Sequence, residues 1–191
     1  TAIEQRGVDA IGQQAQQAFA LVCECREFIR GRRPDRAYRY VLVRRWPMNA
    51  GAPRICGYIM LNPSTADEVK NDPTVERCER RARREGYDGL CVLNLFAYRS
   101  TDPKTLYELG DPVGPDNDAH IIERAKACAL VVCGWGIHGA LHDRGRRVLT
   151  LLRAYGVVPH ALMLNGDGSP RHPLYVPYDR KPVSMRWRAA Q

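Results

Sequence analysis

The hydrophobic pattern turns on one stretch, Ile55 to Ser64, which reads ICGYIMLNPS. Cys56, Tyr58, Ile59, Met60 and Leu61 form an uncharged apolar run, as expected of a strand buried on both faces of a parallel sheet. Pro63 has no N–H to give a neighbouring strand and ends the ladder. Asn62 is thereby left at the carboxyl end of the strand, where open α/β sheets place their ligands. The local alternative is an Asn that opens and caps the next turn.

The pattern on either side builds outward from this strand. Tyr38 to Trp46 alternates as a strand and Pro47 to Pro53 supplies a turn, so these residues and the Ile55 strand are expected to form an antiparallel hairpin. After Asn62 comes a loop to Pro73, of a length that is often functional. Asp72 before Pro73 reads as a helix N-cap with proline at the first helical position. In that helix Val75, Cys78 and Ala82 point inward. Arg77, Arg80, Arg81, Arg83 and Arg84 occupy the other faces and read as a solvated charge run. Leu90 to Leu93 is a second short strand and also ends on an asparagine, Asn94. A helix over Asp116 to Ala129, a strand over Leu130 to Cys133 ending in Gly134-Trp135-Gly136, a helix over Arg144 to Tyr155 and a strand over Val157 to Leu164 follow. The alternation predicts an α/β fold in three layers around a doubly wound, mostly parallel sheet. Ahead of it, Thr1 to Ile29 has a moderate helical pattern, and GRRPDR at 31–36 reads as a basic linker. The expected division is an N-terminal helical extension with linker over 1–36 and an α/β domain over 37–191.

Length and charge narrow the class. A chain of 191 residues can build one domain with a proper core. Lys and Arg number 29 against 21 for Asp and Glu, a net charge of +8 carried mostly by clustered arginines, which makes an anionic partner, nucleic acid first, the natural expectation. The seven cysteines are scattered and odd in number, which argues against a disulfide framework and for a reducing cytoplasm. Cys23 and Cys25 stand too close for a standard zinc knuckle, and no metal site is expected. No apolar run reaches membrane-spanning length, no signal peptide is evident, and no Gly-rich loop calls for a nucleotide cofactor.

The ordered set MLNPSTAD (60–67), NDPTVERC (71–78), LNLFAYRSTDP (93–103), PVGPDND (112–118), the GWG at 134–136 and RHPLY (171–175) resembles the family catalogued as domain of unknown function 1643, over about residues 38–187. That family in turn resembles the uracil-DNA glycosylase superfamily. The resemblance implies a glycosylase-like fold with a first motif at Asn62 and Pro63, a base-reading asparagine at Asn94, and a His-Pro motif beside the glycosidic bond and phosphates at His172 and Pro173. It also implies an aromatic residue stacked on the base, for which Phe96, Tyr98 and Trp135 all qualify, with Pro63 on the same wall. Ser64, Thr65, Arg99, Arg171 and the Arg80 to Arg84 cluster are the phosphate candidates, of which Arg171 has motif support. The chain departs from the superfamily pattern at Met60, where a glycine is usual, and at Ser64 and Thr65, so the motifs do not name the base. Relatives acting on hypermodified viral DNA imply a modified cytosine, glucosylated hydroxymethylcytosine of phage DNA among the candidates, and a role in antiviral defence.

The chemistry to be met is rupture of an N-glycosidic bond, which leaves positive charge on the sugar and negative charge on the base. Donors at strand ends suit it. His172 could hydrogen-bond the leaving base while Asn62 holds the attacking water. An amide is no general base near neutral pH, so Asp67 and Asp72 are the candidate helpers, although Asp72 also fits plain helix capping. The expectation is a monomeric, monofunctional DNA glycosylase without cofactor that flips its target base and leaves an abasic site. A non-catalytic nucleic-acid reader and an N-ribosyl hydrolase of free nucleosides or nucleotides are the rivals.

Overall fold

A computed structural model describes residues 37–46, 52–67 and 70–185. The expected N-terminal helix and the basic linker lie outside the described residues. The centre of the molecule is β2 (Ile55–Met60), all six residues of which are buried. A strand without an exposed face must have cover on both sides and pairing on both edges. β2 pairs in parallel with β3 (Gly89–Asn94) along one edge and with β4 (Leu130–Cys133) along the other. β5 (Pro159–Ala161) extends the parallel set beyond β4. β1 (Leu42–Arg45) and β6 (Val183–Ser184) close the edges antiparallel, which gives a mixed six-stranded sheet in the order β1-β3-β2-β4-β5-β6.

The expected hairpin between the Tyr38–Trp46 segment and the Ile55 strand does not form. β1 pairs with β3 instead, with Leu42 opposite Val92 and Arg45 opposite Gly89. The reason is burial: the uncharged β2 takes the interior place between two parallel neighbours, and β1, with half-buried Arg44 and Arg45, is suited to an edge. The strand expected over 157–164 is shorter than its apolar run, and β6 is a strand for which the sequence pattern gives no expectation.

Alternate side chains of the sheet enter two separate cores. Ile55, Ile59, Cys91, Leu93, Val131 and Cys133 pack with Ile121 and Ala125 of α2 (Asn117–Ala127) and Val148 and Leu152 of α3 (Arg144–Ala154). Cys56, Tyr58, Met60, Leu90, Val92 and Val132 pack with Val75, Cys78 and Ala82 of α1 (Pro73–Arg84). Thus the helix after β2 covers one face and the helices after β3 and β4 cover the other. Among the described residues no helix is long and apolar enough to cross a membrane.

The arginine-rich face of α1 is not a solvated charge run. Arg81 is 5 % exposed, and its guanidinium donates to the carbonyls of Val176 and Pro177 (both 2.6 Å), Arg180 (3.2 Å) and Tyr178 (3.4 Å). Arg77 donates to the carbonyls of Pro173 (3.0 Å) and Val176 (2.7 Å). Both guanidinium groups lie over the Tyr178 ring, at 4.2 Å and 4.9 Å from its centroid. The outward members of the run behave as expected: Arg80 and Arg83 pair with Glu76 and Glu79 one turn away. The segment after β5 lacks a sheet ladder over most of its length, and these arginines satisfy its carbonyls in place of one.

Arg81→Met keeps the stem packing of this grip but removes the guanidinium donor shared by the carbonyls of Val176, Pro177, Tyr178 and Arg180, of which Val176 keeps Arg77, and it is expected to cost about 2–4 kcal/mol of stability. Urea unfolding measures the loss, and amide exchange should rise first over residues 173–180. Arg80→Met, on the exposed face, should leave the unfolding midpoint unchanged.

Candidate functional site

β2 has its sequence successor β3 on one side and β4 on the other, and the helices that follow β2 and β4 lie on opposite faces. The chain therefore parts at the carboxyl ends of β2 and β4, which is where an open α/β sheet leaves a crevice. A cavity of about 530 Å³ opens there, within the range of ligand sites. Its wall takes Asn62 from beyond β2, Asn94 from the end of β3, Trp135 and Gly136 from beyond β4, and Arg171 and His172 from the segment held by α1.

Asn62 is oriented by its own amide. Its Nδ2 donates to the carbonyls of Ser100 (2.8 Å) and Pro63 (3.1 Å), which fixes which end of the amide is which. The nitrogen is thus occupied by main chain, and Oδ1 remains as an acceptor at the crevice. Pro63 itself is buried, and its carbonyl also receives the Ser100 N–H at 2.9 Å, so the loop after β2 is tied to the loop after β3.

Asn94 is 1 % exposed, and its Nδ2 has no hydrogen-bond partner although it is buried. Its backbone is rigidly held. The fully buried Asn117 donates from Nδ2 to the carbonyls of Asn94 (3.0 Å) and Leu95 (2.9 Å), and Arg144, also buried and paired with Asp118, donates from Nε to Leu95 O at 2.8 Å. Buried polar groups are nearly always paired, so a lone donor on a rigid backbone beside a cavity marks a place where a ligand acceptor would sit.

His172 stands half-buried, with Nδ1 accepting the Leu174 N–H at 3.4 Å and its ring 5.8 Å from that of Tyr175. That bond places the ring proton on Nε2, which makes the free nitrogen a donor. Burial lowers the pKa of His172 below the ordinary value, only partly opposed by the charge of Asp72, so the ring is neutral at pH 7. The position of the ring depends on Gly134: a Cβ there would stand 2.7 Å from Pro173 Cδ and 2.9 Å from its Cγ. The end of β4 and the His-Pro turn touch because glycine lets them. Trp135 is packed by the same device, since a Cβ on Gly139 would fall 2.1 Å from its ring.

The remaining candidate residues divide. Asp72 reaches the crevice but spends Oδ1 on capping α1, accepting from Thr74 N (2.9 Å) and Val75 N (2.8 Å). Ser64 and Arg171 line the cavity, and Arg171 places NH1 3.8 Å from Met163 Sδ. Asp67 is not on the wall: its Oδ1 accepts from Lys70 N at 2.6 Å and its carbonyl accepts from Arg44. Thr65 is exposed outside the cavity, and Arg99 lies off its wall. Of the three aromatic candidates, only Trp135 lines the cavity. Phe96 is fully buried in the core, and Tyr98 stands edge-on to Tyr38 at 5.9 Å.

Residues to which the sequence pattern assigns no site role also appear on the wall: Arg39, His138, which reads as structural, and Tyr175, the last residue of the RHPLY motif. His138 shares a hydrogen bond of 3.1 Å with the Tyr107 hydroxyl. Tyr175 is 66 % exposed, an aromatic ring at the rim. Arg39 sits in an alternating stretch that gives no sign of its destination. For Asn117 a signal existed, in the PVGPDND motif, but its role as a backbone clamp could not be read from residue type. The thiols at hand are not nucleophiles, since burial pushes Cys56 up to about 12 and raises Cys78 and Cys133 as well. Among the described residues no group of three potential metal ligands occurs.

No curated protein and no solved structure matches the chain. One family model does, over residues 39–174, a span that contains every crevice residue discussed here except Tyr175. On that match the chain belongs to the family described as "Protein of unknown function (DUF1643)".

Proposed function

We propose that the protein is a monofunctional DNA glycosylase that hydrolyses the N-glycosidic bond of a modified base and leaves an abasic site. The observation that carries the reading is the convergence of three polar groups of defined direction on one crevice: the Asn62 Oδ1 acceptor, the unpaired Asn94 Nδ2 donor and the neutral His172 with its proton on Nε2. The parallel centre of the sheet, covered on both faces, supports a doubly wound, uracil-DNA-glycosylase-like fold, and the crevice opens at its switch point.

In this reading the flipped nucleotide enters with its base against Asn94 and the indole of Trp135. Water, held by a hydrogen bond to Asn62 Oδ1, adds its oxygen to C1′ as the bond from C1′ to the base nitrogen breaks. The bonding electrons leave with the base. His172 Nε2–H donates to the base as negative charge gathers on it, and the proton lost by the water passes to solvent or to Asp72. The amide cannot take that proton, so the site favours bases that leave easily. A cavity of about 530 Å³ leaves room for a substituent beyond a bare pyrimidine, which fits a modified cytosine such as the glucosylated hydroxymethylcytosine of phage DNA, and with it an antiviral role.

Incubation with DNAs carrying uracil, hypoxanthine, hydroxymethylcytosine or glucosylated hydroxymethylcytosine tests the proposal, with alkali cleavage and mass analysis of released bases. Release of one free base with alkali-labile sites is expected. Tight, salt-sensitive binding without release would mark a non-catalytic reader, and turnover confined to monomers an N-ribosyl hydrolase. Asn62→Ala and His172→Ala should each lower kcat by about 10²–10³-fold while the circular dichroism spectrum stays native.

The pH profile follows from His172. Its folded pKa lies below 6.5, so the neutral ring, and the stability it contributes, are fully present above that value and are lost as pH falls through the lowered pKa. The acid limb of kcat/KM is expected below pH 6.5 and should disappear in His172→Gln. A limb above 6.5 that tracks His172 would refute the assignment.

A further inference from the structure

The crevice wall holds a cation that the glycosylase reading does not use. Arg39 is 2 % exposed, lines the cavity and is fixed at its backbone by the bond from its N–H to Ala97 O at 2.8 Å, within the short antiparallel bridge that joins Tyr38 to Tyr98. Its side chain makes one hydrogen bond, from NH1 to Ala66 O, and its Nε–H is buried without a partner. No described carboxylate stands within ion-pairing distance of it. Burial pulls its pKa down to about 10, and the like charge of Arg99 weighs more than the opposite charge of Asp72, yet the group remains a cation at neutral pH. The nearest candidate counterion, Asp72, is already engaged by the first N–H groups of α1.

A buried charge without a partner is a cost that native folds rarely carry, and removing it from a site is easy for evolution unless something binds there. As a clamp on the loop after β2, Arg39 uses a single N–H of its five, a task any neutral donor could do. The planar fork suits an oxyanion. The second unpaired donor on the same wall, Asn94 Nδ2, also asks for an acceptor.

We propose that Arg39 is the anion anchor of the crevice and seats a phosphate group of the bound nucleotide beneath the loop over 62–67. The phosphate can belong to a polynucleotide backbone or to a free nucleotide. The inference goes beyond the glycosylase reading, because it holds whether or not the bound nucleotide is cleaved.

The test uses the full chain. Inorganic phosphate at millimolar concentration should raise the melting temperature above that in chloride of equal ionic strength and shift one solvent-protected arginine Nε–H resonance in the nitrogen-15 spectrum. Arg39→Met should weaken phosphate binding at least tenfold, and Arg39→Lys should retain part of it. Deoxycytidine monophosphate should bind at least tenfold more tightly than deoxycytidine if the source is a free nucleotide. A short single strand should lose at least tenfold on methylphosphonate substitution if the source is the backbone. Wild-type protein indifferent to phosphate, or phosphate binding unchanged in Arg39→Met, would overturn the proposal. Should Arg39→Met fail to fold, the wild-type resonance shift and the comparison of nucleotide with nucleoside decide alone. Base release from DNA without any phosphate dependence would sink this inference and leave the glycosylase reading standing; the reverse result would do the opposite.

Discussion

The constraint on which everything else rests is that β2 has no free edge and no free face. Parallel neighbours on both sides mean that the connections leaving β2 and β4 must pass over opposite faces of the sheet. The crevice is the gap between those departures, and no loop has to be shaped to create it. What the loops add is direction. Ser100 and Pro63 turn the Asn62 amide, Asn117 and Arg144 hold the backbone at Asn94, and Gly134 lets Pro173 come close enough to set His172.

Arginine is the working residue of this fold in a way that net charge conceals. Arg77 and Arg81 donate to main-chain carbonyls, Arg144 divides its bonds between the Leu95 carbonyl and Asp118, and Arg44 clasps the carbonyls of Asp67 and Lys70. The net charge of +8 therefore includes guanidinium groups, those of Arg81 and Arg144 among them, that are buried against the protein's own chain and are not displayed at the surface. The planar fork serves here as a substitute for a sheet neighbour where the chain runs irregularly.

Much of the architecture was legible because it depends on runs of residue type. The unbroken apolar stretch at Ile55, the Asp72-Pro73 helix start and the asparagines ending two strands each follow from local chemistry, and the structure places Asn62 and Asn94 on one wall. The hairpin misreading came from treating neighbours in sequence as neighbours in the sheet, when burial decides which strand takes the interior. The arginines of α1 look solvated in the sequence because periodicity shows which face is not apolar but not that a distant segment will cover it. Phe96 and Tyr98 illustrate the same limit. Both follow a strand end, as a base-stacking ring should, yet one turns into the core and the other toward Tyr38. Arg39 gave no signal at all, since a buried cation looks like any polar member of an alternating strand.

The grip of α1 on the segment after β5 has a consequence for how the protein is made. The bonds from Arg77 and Arg81 span about 95 to 99 residues of chain. A ribosome has already delivered strands β1 to β5, helices α1 to α3 and both asparagines before the carbonyls that these arginines need exist. The crevice is therefore completed only after its strand ends exist, and a nascent chain that carries β1 to β5 still lacks His172. By this order of assembly the crevice stays without its His-Pro wall until the segment over 171–180 has been made.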